Sequence, residues 1–81
     1  KGTVNAAIIS PRELFIEALQ KGAVSIILLH NHPSGDPTPS KEDIIITKQI
    51  QEAGELLGVH LLDHIIIGNN CYVSMREKKI F

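Results

Sequence analysis

Apolar and polar positions along this chain change their period several times, and each change marks an element. Thr3 to Ile9 alternate weakly, as a strand does. "SPREL" then opens a helix. Ser10 is a capping residue, Pro11 suits the first helical position, and Glu13 sits three residues after the cap to close a capping box. Leu14, Phe15, Ala18 and Leu19 follow at helical spacing, and Gly22 is a natural stop. Ala23 to Leu29, "AVSIILL", is a nearly continuous apolar run, which suits a strand covered on both faces.

The same logic repeats downstream. "PSKED" starts a second helix at Ser40, with Asp43 three residues on, and its stripe is Ile46, Ile50, Ala53 and Leu57 before Gly58 ends it. Val59 to Gly68 reads as a buried strand, Asn69 and Asn70 as a turn, and "CYVSM" as a short last strand. The order β-α-β-α-β-β predicts a layered α/β domain whose sheet has helices packed on it.

Composition narrows the function classes. An 81-residue chain makes one small domain with a modest core. Eight basic against nine acidic residues give no electrostatic footprint for nucleic acid or an anionic membrane. No apolar run approaches the ~20 residues of a membrane span. The single Cys71 cannot form an internal disulfide, and a reducing, cytoplasmic setting fits it. The start, "KGTVNAAII", reads like the middle of a strand, so the expectation is a single domain over residues 1–81 that lacks its first strand or strands. Such a domain leaves an edge strand to cover, and a homodimer is one way to cover it.

The chemistry concentrates in "HNHPSGDPTPSKED", residues His30 to Asp43. In extended backbone His30 and His32 point to the same side, just where the central strand ends. A loop stiffened by Pro33, Pro37 and Pro39, with Gly35 free for positive φ, then delivers Ser40 and Asp43 onto the first turn of a helix. Two imidazoles and a carboxylate make a three-ligand set for one zinc ion with a fourth position open, the arrangement of a catalytic site. Ser40 could then reach the oxyanion of an acyl-transfer intermediate. Ser-x-x-Asp before an apolar run is equally a capping box, and Pro-Ser-Gly-Asp-Pro is ordinary turn chemistry. On spacing alone both readings stand.

His-x-His, seven residues, then Ser-x-x-Asp is similar without a gap to the JAMM motif of the JAB/MPN metalloprotease family. The wider wording "GTVNAA…SPRE…LLHNHPSGDPTPSKED…AGELLGV…LLDHIIIG" resembles the RadC-like branch of that family over nearly all of the chain. The resemblance implies a three-layer α/β/α sandwich with a mixed sheet, similar to that of cytidine deaminases. It also implies His30, His32 and Asp43 as zinc ligands, and Ser40 as a catalytic residue supporting the oxyanion. The deaminase activity itself is excluded, because H-x-E and Pro-Cys-x-x-Cys are both missing. Asn31 stands between the histidines where many family proteases carry Ser or Thr. The family's general-base glutamate is expected upstream of Lys1, since Glu13 and Glu17 sit on a helix rather than a strand.

Other polar residues read as structural. His60, Asp63 and His64 cannot all face one metal, and Asp63 and His64 are hydrogen-bonding groups. The "DHIIIG" wording shared with the RadC-like branch leaves a site-lining role open to them. Asp36 shapes its turn, orients a histidine or serves as a spare ligand. Cys71 is a half-buried strand residue, and Ser74 and Arg76 carry no readable chemistry. The expected activity is zinc-dependent hydrolysis of a peptide or protein at a peptide or isopeptide bond. The alternative is a non-catalytic binding module of the same fold, in a family whose members traditionally bear a DNA repair label.

Overall fold

A computed structural model describes the backbone of residues 2–5 and the whole of residues 10–81. Its elements are β1 (Gly2–Asn5), α1 (Pro11–Gln20), β2 (Ser25–Asn31), α2 (Lys41–Leu57), β3 (His60–Ile67) and β4 (Tyr72–Ser74). This is the predicted order. Of the first predicted strand, residues 6–9 lie outside the described residues.

Both helices start on their predicted caps. Ser10 Oγ accepts the Glu13 N–H at 3.3 Å. At Ser40 the box is reciprocal, with the Ser40 side chain on the Asp43 N–H and the Asp43 carboxylate on the Ser40 N–H. Gly22 and Gly58 take the left-handed conformation at the two C-terminal ends.

The four strands run in the order β1-β2-β3-β4, the first three parallel and β4 antiparallel to β3. Both crossovers step the same way across the sheet. Since parallel crossovers are right-handed, both helices must lie on one face. The core agrees: Leu14, Phe15 and Ala18 of α1 and Ile50 of α2 share one buried cluster with Ile26, Leu28, Val59 and Leu61. Among the described residues the architecture is therefore one sheet and one helix layer. A helix on the opposite face needs a connection that reverses direction across the sheet, and the described crossovers do not. That face carries half-buried Ile27, Leu29 and Ile65 and exposed Ile67 and Tyr72.

Three details differ from the pattern-based expectation. The central strand starts at Ser25 and runs on through His30 to Asn31, because β3 still pairs with it opposite Ile66 and Ile67. Leu19 and Leu57, assigned to the apolar stripes, are 50% and 46% exposed. In α2 the buried line is instead Asp43, Thr47, Ile50 and Gly54. Gly54 is the close approach: a Cβ there would lie 2.2 Å from the Val59 carbonyl oxygen, while Val59 N–H donates to the Gly54 carbonyl at 2.9 Å.

The third detail is a β-bulge. Ile26 pairs with Leu61 and Ile27 with Asp63, so Leu62 is an extra residue in β3. One extra residue turns every later side chain to the other face. Asp63 therefore points away from the helices and His64 points under them. The carbonyls of the bulge are satisfied by Arg76, whose guanidinium donates to Leu61 O at 2.9 Å and Leu62 O at 3.1 Å. Asp63 in turn accepts the Arg76 N–H at 3.0 Å, the His64 N–H at 2.7 Å and the Ser74 hydroxyl. Asp63 is structural, as its residue type suggests. Ser74 and Arg76, silent in the sequence, complete that clamp.

Candidate metal centre

The end of β2 sets the first two groups. His32 N–H donates to Ile67 O at 3.0 Å, which prolongs the β2–β3 ladder past its last strand residue. His30 and His32 thus share one side, with ring centroids 4.9 Å apart and planes nearly perpendicular. Their side chains are 25% and 17% exposed.

The loop is held as a unit. Gly35 has φ +88° and its N–H returns to His32 O at 3.0 Å. The loop rests on the turn after β3, where Asn69 N–H donates to Gly35 O at 2.8 Å and Gly68 has no side chain to intervene. The Asp36 carboxylate accepts the Thr38 N–H at 3.0 Å and its hydroxyl at 2.7 Å, and these bonds keep its carboxyl below the ordinary range. The turn-shaping reading of Asp36 therefore holds for its side chain. Its backbone carbonyl does the orienting: it accepts His32 Nδ1–H at 2.9 Å.

That bond fixes the chemistry of the other nitrogen. With Nδ1 donating, Nε2 of His32 faces Asp43 Oδ2 at 3.0 Å, and His30 Nδ1 faces Oδ1 at 3.2 Å. A ring nitrogen and a carboxylate oxygen this close need a cation between them, a proton or a metal. A backbone carbonyl on the far nitrogen is the usual support of a ligating histidine. One ligand atom from each of His30, His32 and Asp43 lies within 4.8 Å of the others. Ligands bonded to one tetrahedral zinc at about 2.0–2.1 Å sit about 3.3 Å apart. Two imidazole nitrogens and a carboxylate oxygen are donor types that zinc takes, and here they lie near enough to share one ion.

Asp43 is buried, with its side chain 8% exposed. Burial opposes its ionisation, but the Ser40 amide and side chain together with His30 and His32 outweigh it and hold the carboxyl below the ordinary range. Ser40 is exposed at the mouth of the site; its oxygen accepts the Asp43 N–H at 3.1 Å.

Beneath the site lies a buried pair: His64, read from the sequence as a hydrogen-bonding group, and Thr47, which the sequence does not single out. Thr47 and His64 are 0% and 1% exposed. Thr47 Oγ1 is 2.5 Å from the Asp43 carbonyl oxygen and 2.6 Å from His64 Nδ1. A carbonyl can only accept, so the single hydroxyl hydrogen goes to Asp43, and His64 Nδ1–H donates to Thr47. Among the described residues Nε2 of His64 has no partner. Burial holds the His64 pKa down to about 4, against an opposing pull from Asp43. The signal for Thr47 was its place one turn after Asp43, a polar residue on a buried helix face. His60 lies elsewhere, in an exposed pair with Glu55 at 3.1 Å. Cys71 is exposed, not half-buried.

Among the described residues no helix is long and apolar enough to cross a membrane. Sequence comparison places this geometry among known proteins. A UPF0758 protein of Clostridium botulinum strain Hall is 65% identical over 77 residues, covering 95% of this chain and 34% of the relative. A UPF0758 protein of Shouchella clausii is 56% identical over 80 residues, covering 99% of this chain and 35% of the relative. The chain thus spans about a third of the length of these curated relatives. A family model for the RadC-like JAB domain matches residues 1–80, and the chain belongs to that family.

Proposed function

We propose that this domain carries a zinc-dependent hydrolase site for peptide or isopeptide bonds, with His30, His32 and Asp43 as the ligands of one ion. The observation that carries the reading is the His32 ring. Its Nδ1–H is committed to the Asp36 carbonyl, which leaves Nε2 facing Asp43 Oδ2 at 3.0 Å with room for one cation shared between them. Zinc, when bound, supplies Lewis acidity that lowers the pKa of water toward ~7 and polarises a carbonyl.

The chain's own residues then divide the work. His30 and His32 project from a strand end stiffened by its pairing with β3. Asp43 is held anionic and oriented by the capped first turn of α2. Ser40, exposed beside it, donates its hydroxyl toward the oxygen that becomes negative in acyl transfer. The family resemblance implies a general-base glutamate on a strand, and neither Glu13 nor Glu17, both on α1, matches it; Glu17 pairs with Lys21 at 2.8 Å. The relatives are about three times as long as this chain, enough to supply such a base and a third layer over an apolar face like that of Ile27, Leu29 and Ile65. The single free Cys71 fits a cytoplasmic protein. A homodimer is one way to cover an edge strand that a missing first strand leaves open.

The test uses the full chain. Zinc content is measured on freshly purified protein beside His30→Ala, with cleavage of linear peptides and isopeptide-linked conjugates. One zinc per chain, lost in His30→Ala, and metal-dependent cleavage are expected. No zinc in the wild-type protein sinks the site. Zinc without any hydrolysis points to a binding module, and salt-dependent DNA affinity would revive the repair label against the chain's near-neutral charge.

A further inference from the structure

The "DHIIIG" histidine has no role in the site as described above, yet it lies fully buried beneath it. His64 is 1% exposed, with one ring nitrogen on Thr47 and the other unpartnered among the described residues. Buried unpartnered nitrogens are disfavoured, and an apolar side chain of similar volume would remove the problem. The β-bulge at Leu62 and the Asp63 and Arg76 bonds around it hold His64, rather than Asp63, on this face. The arrangement favours something other than core stability.

We propose that His64, acting through Thr47, is a positioning residue for Asp43. The path is continuous: His64 Nδ1–H donates to Thr47 Oγ1, and the Thr47 hydroxyl donates to the Asp43 carbonyl. A threonine hydroxyl bonded to the carbonyl four residues back bends the helix locally. With His64 fixing where that hydroxyl points, the first turn of α2 is set at one tilt, and the Asp43 carboxylate with it. The His64 ring also lies nearly parallel to that of His30, at 25° with centroids 6.1 Å apart, so it backs a second ligand. Met75 Sδ, 3.6 Å from Thr47 Oγ1, closes the pocket from β4's side. The proposal rests on the metal-site reading. It adds that the affinity of that site is set from the buried side, by residues that touch no metal.

The experiment is a double-mutant cycle on zinc affinity in the full chain, with His64→Leu, Thr47→Val and the pair, read by competition with a chelating dye. Cobalt(II) absorption reports ligand geometry, and thermal unfolding is recorded with metal removed. His64→Leu is expected to keep or raise the melting temperature of the metal-free protein while weakening zinc binding about 10- to 100-fold. Thr47→Val weakens binding to a similar degree. The double variant is no weaker than the worse single one, because both act along one path. His64→Asn, which returns a donor near the Nδ1 position, restores much of the affinity. A purely structural histidine would move stability and affinity down together and leave the cobalt spectrum of the loaded protein unchanged. Zinc affinities of His64→Leu and Thr47→Val within twofold of the wild type's would overturn the proposal. Should His64→Leu fail to fold, unchanged affinity in Thr47→Val alone overturns it. A wild-type chain that binds no zinc defeats the metal-site reading itself, and is told apart by that control.

Discussion

Gly68 stands where the site loop meets the sheet, and one methyl group there tests the whole placement of the site. Its backbone is not left-handed, so Ala would ordinarily be neutral or stabilising by about 0.5–1 kcal/mol. A Cβ at Gly68, however, would lie 2.3 Å from the Gly35 carbonyl oxygen and 2.8 Å from Pro37 Cδ. Ordinary contact therefore requires the loop backbone to retreat by about 1 Å, which interiors at crystal-like packing density do not absorb freely. Gly35 O is the acceptor for Asn69 N–H at 2.8 Å, and the next residue's carbonyl holds His32 Nδ1 at 2.9 Å. A 1 Å shift takes both bonds out of range, at about 0.5–1.5 kcal/mol each. With an overpacking cost of about 1–3 kcal/mol, less what alanine gains, Gly68→Ala should destabilise the domain by about 1–5 kcal/mol. It should also weaken zinc binding at least tenfold, since His32 loses its orienting partner. Urea unfolding and a zinc competition titration measure the two effects. A Gly68→Ala protein as stable as the wild type, with the same zinc affinity, would refute the claim that loop docking positions His32.

Further outcomes follow from the same contacts. Gly54→Ala should destabilise by at least about 1–3 kcal/mol despite alanine's higher helix propensity, because its Cβ meets the Val59 carbonyl at 2.2 Å; denaturant unfolding decides the sign. In chelator-treated protein, stability should fall as pH drops from about 6.5 toward 4. His64 stays neutral when folded, its pKa held at about 4, while the unfolded chain takes up a proton near 6.5; the stability is present above 6.5 and lost below it, by about 3 kcal/mol in all. His64→Leu should flatten that slope, and an unchanged slope would count against a buried neutral imidazole. Asp63→Ala should destabilise by about 2–4 kcal/mol, since it strips partners from Ser74 and from the Arg76 and His64 amides, and equilibrium unfolding beside Asp63→Asn checks it.

Much of this protein was readable in its order of residues. Caps, stripes and turn residues are local chemistry, so Ser10, Gly22, Ser40 and Gly58 mark helix ends whatever the chain does elsewhere. His30, His32, Ser40 and Asp43 could be grouped for a similar reason: a strand end, a proline-stiffened loop and a capped helix start leave little freedom between them. The face of each later residue was not readable. An unbroken strand would send Asp63 inward and His64 out; the bulge at Leu62 reverses that, and it exists because Arg76, from beyond β4, satisfies the carbonyls it exposes. Leu19 and Leu57 fit their stripes by period, but the buried seat in α2 went to Gly54, where the helix meets the backbone at Val59. Nor could spacing show that Asp36 orients His32 through its carbonyl, or that Thr47 joins Asp43 to His64. Local bonding sets elements and motif spacing, whereas register and close approach depend on partners far along the chain, and only the folded structure brings those partners together.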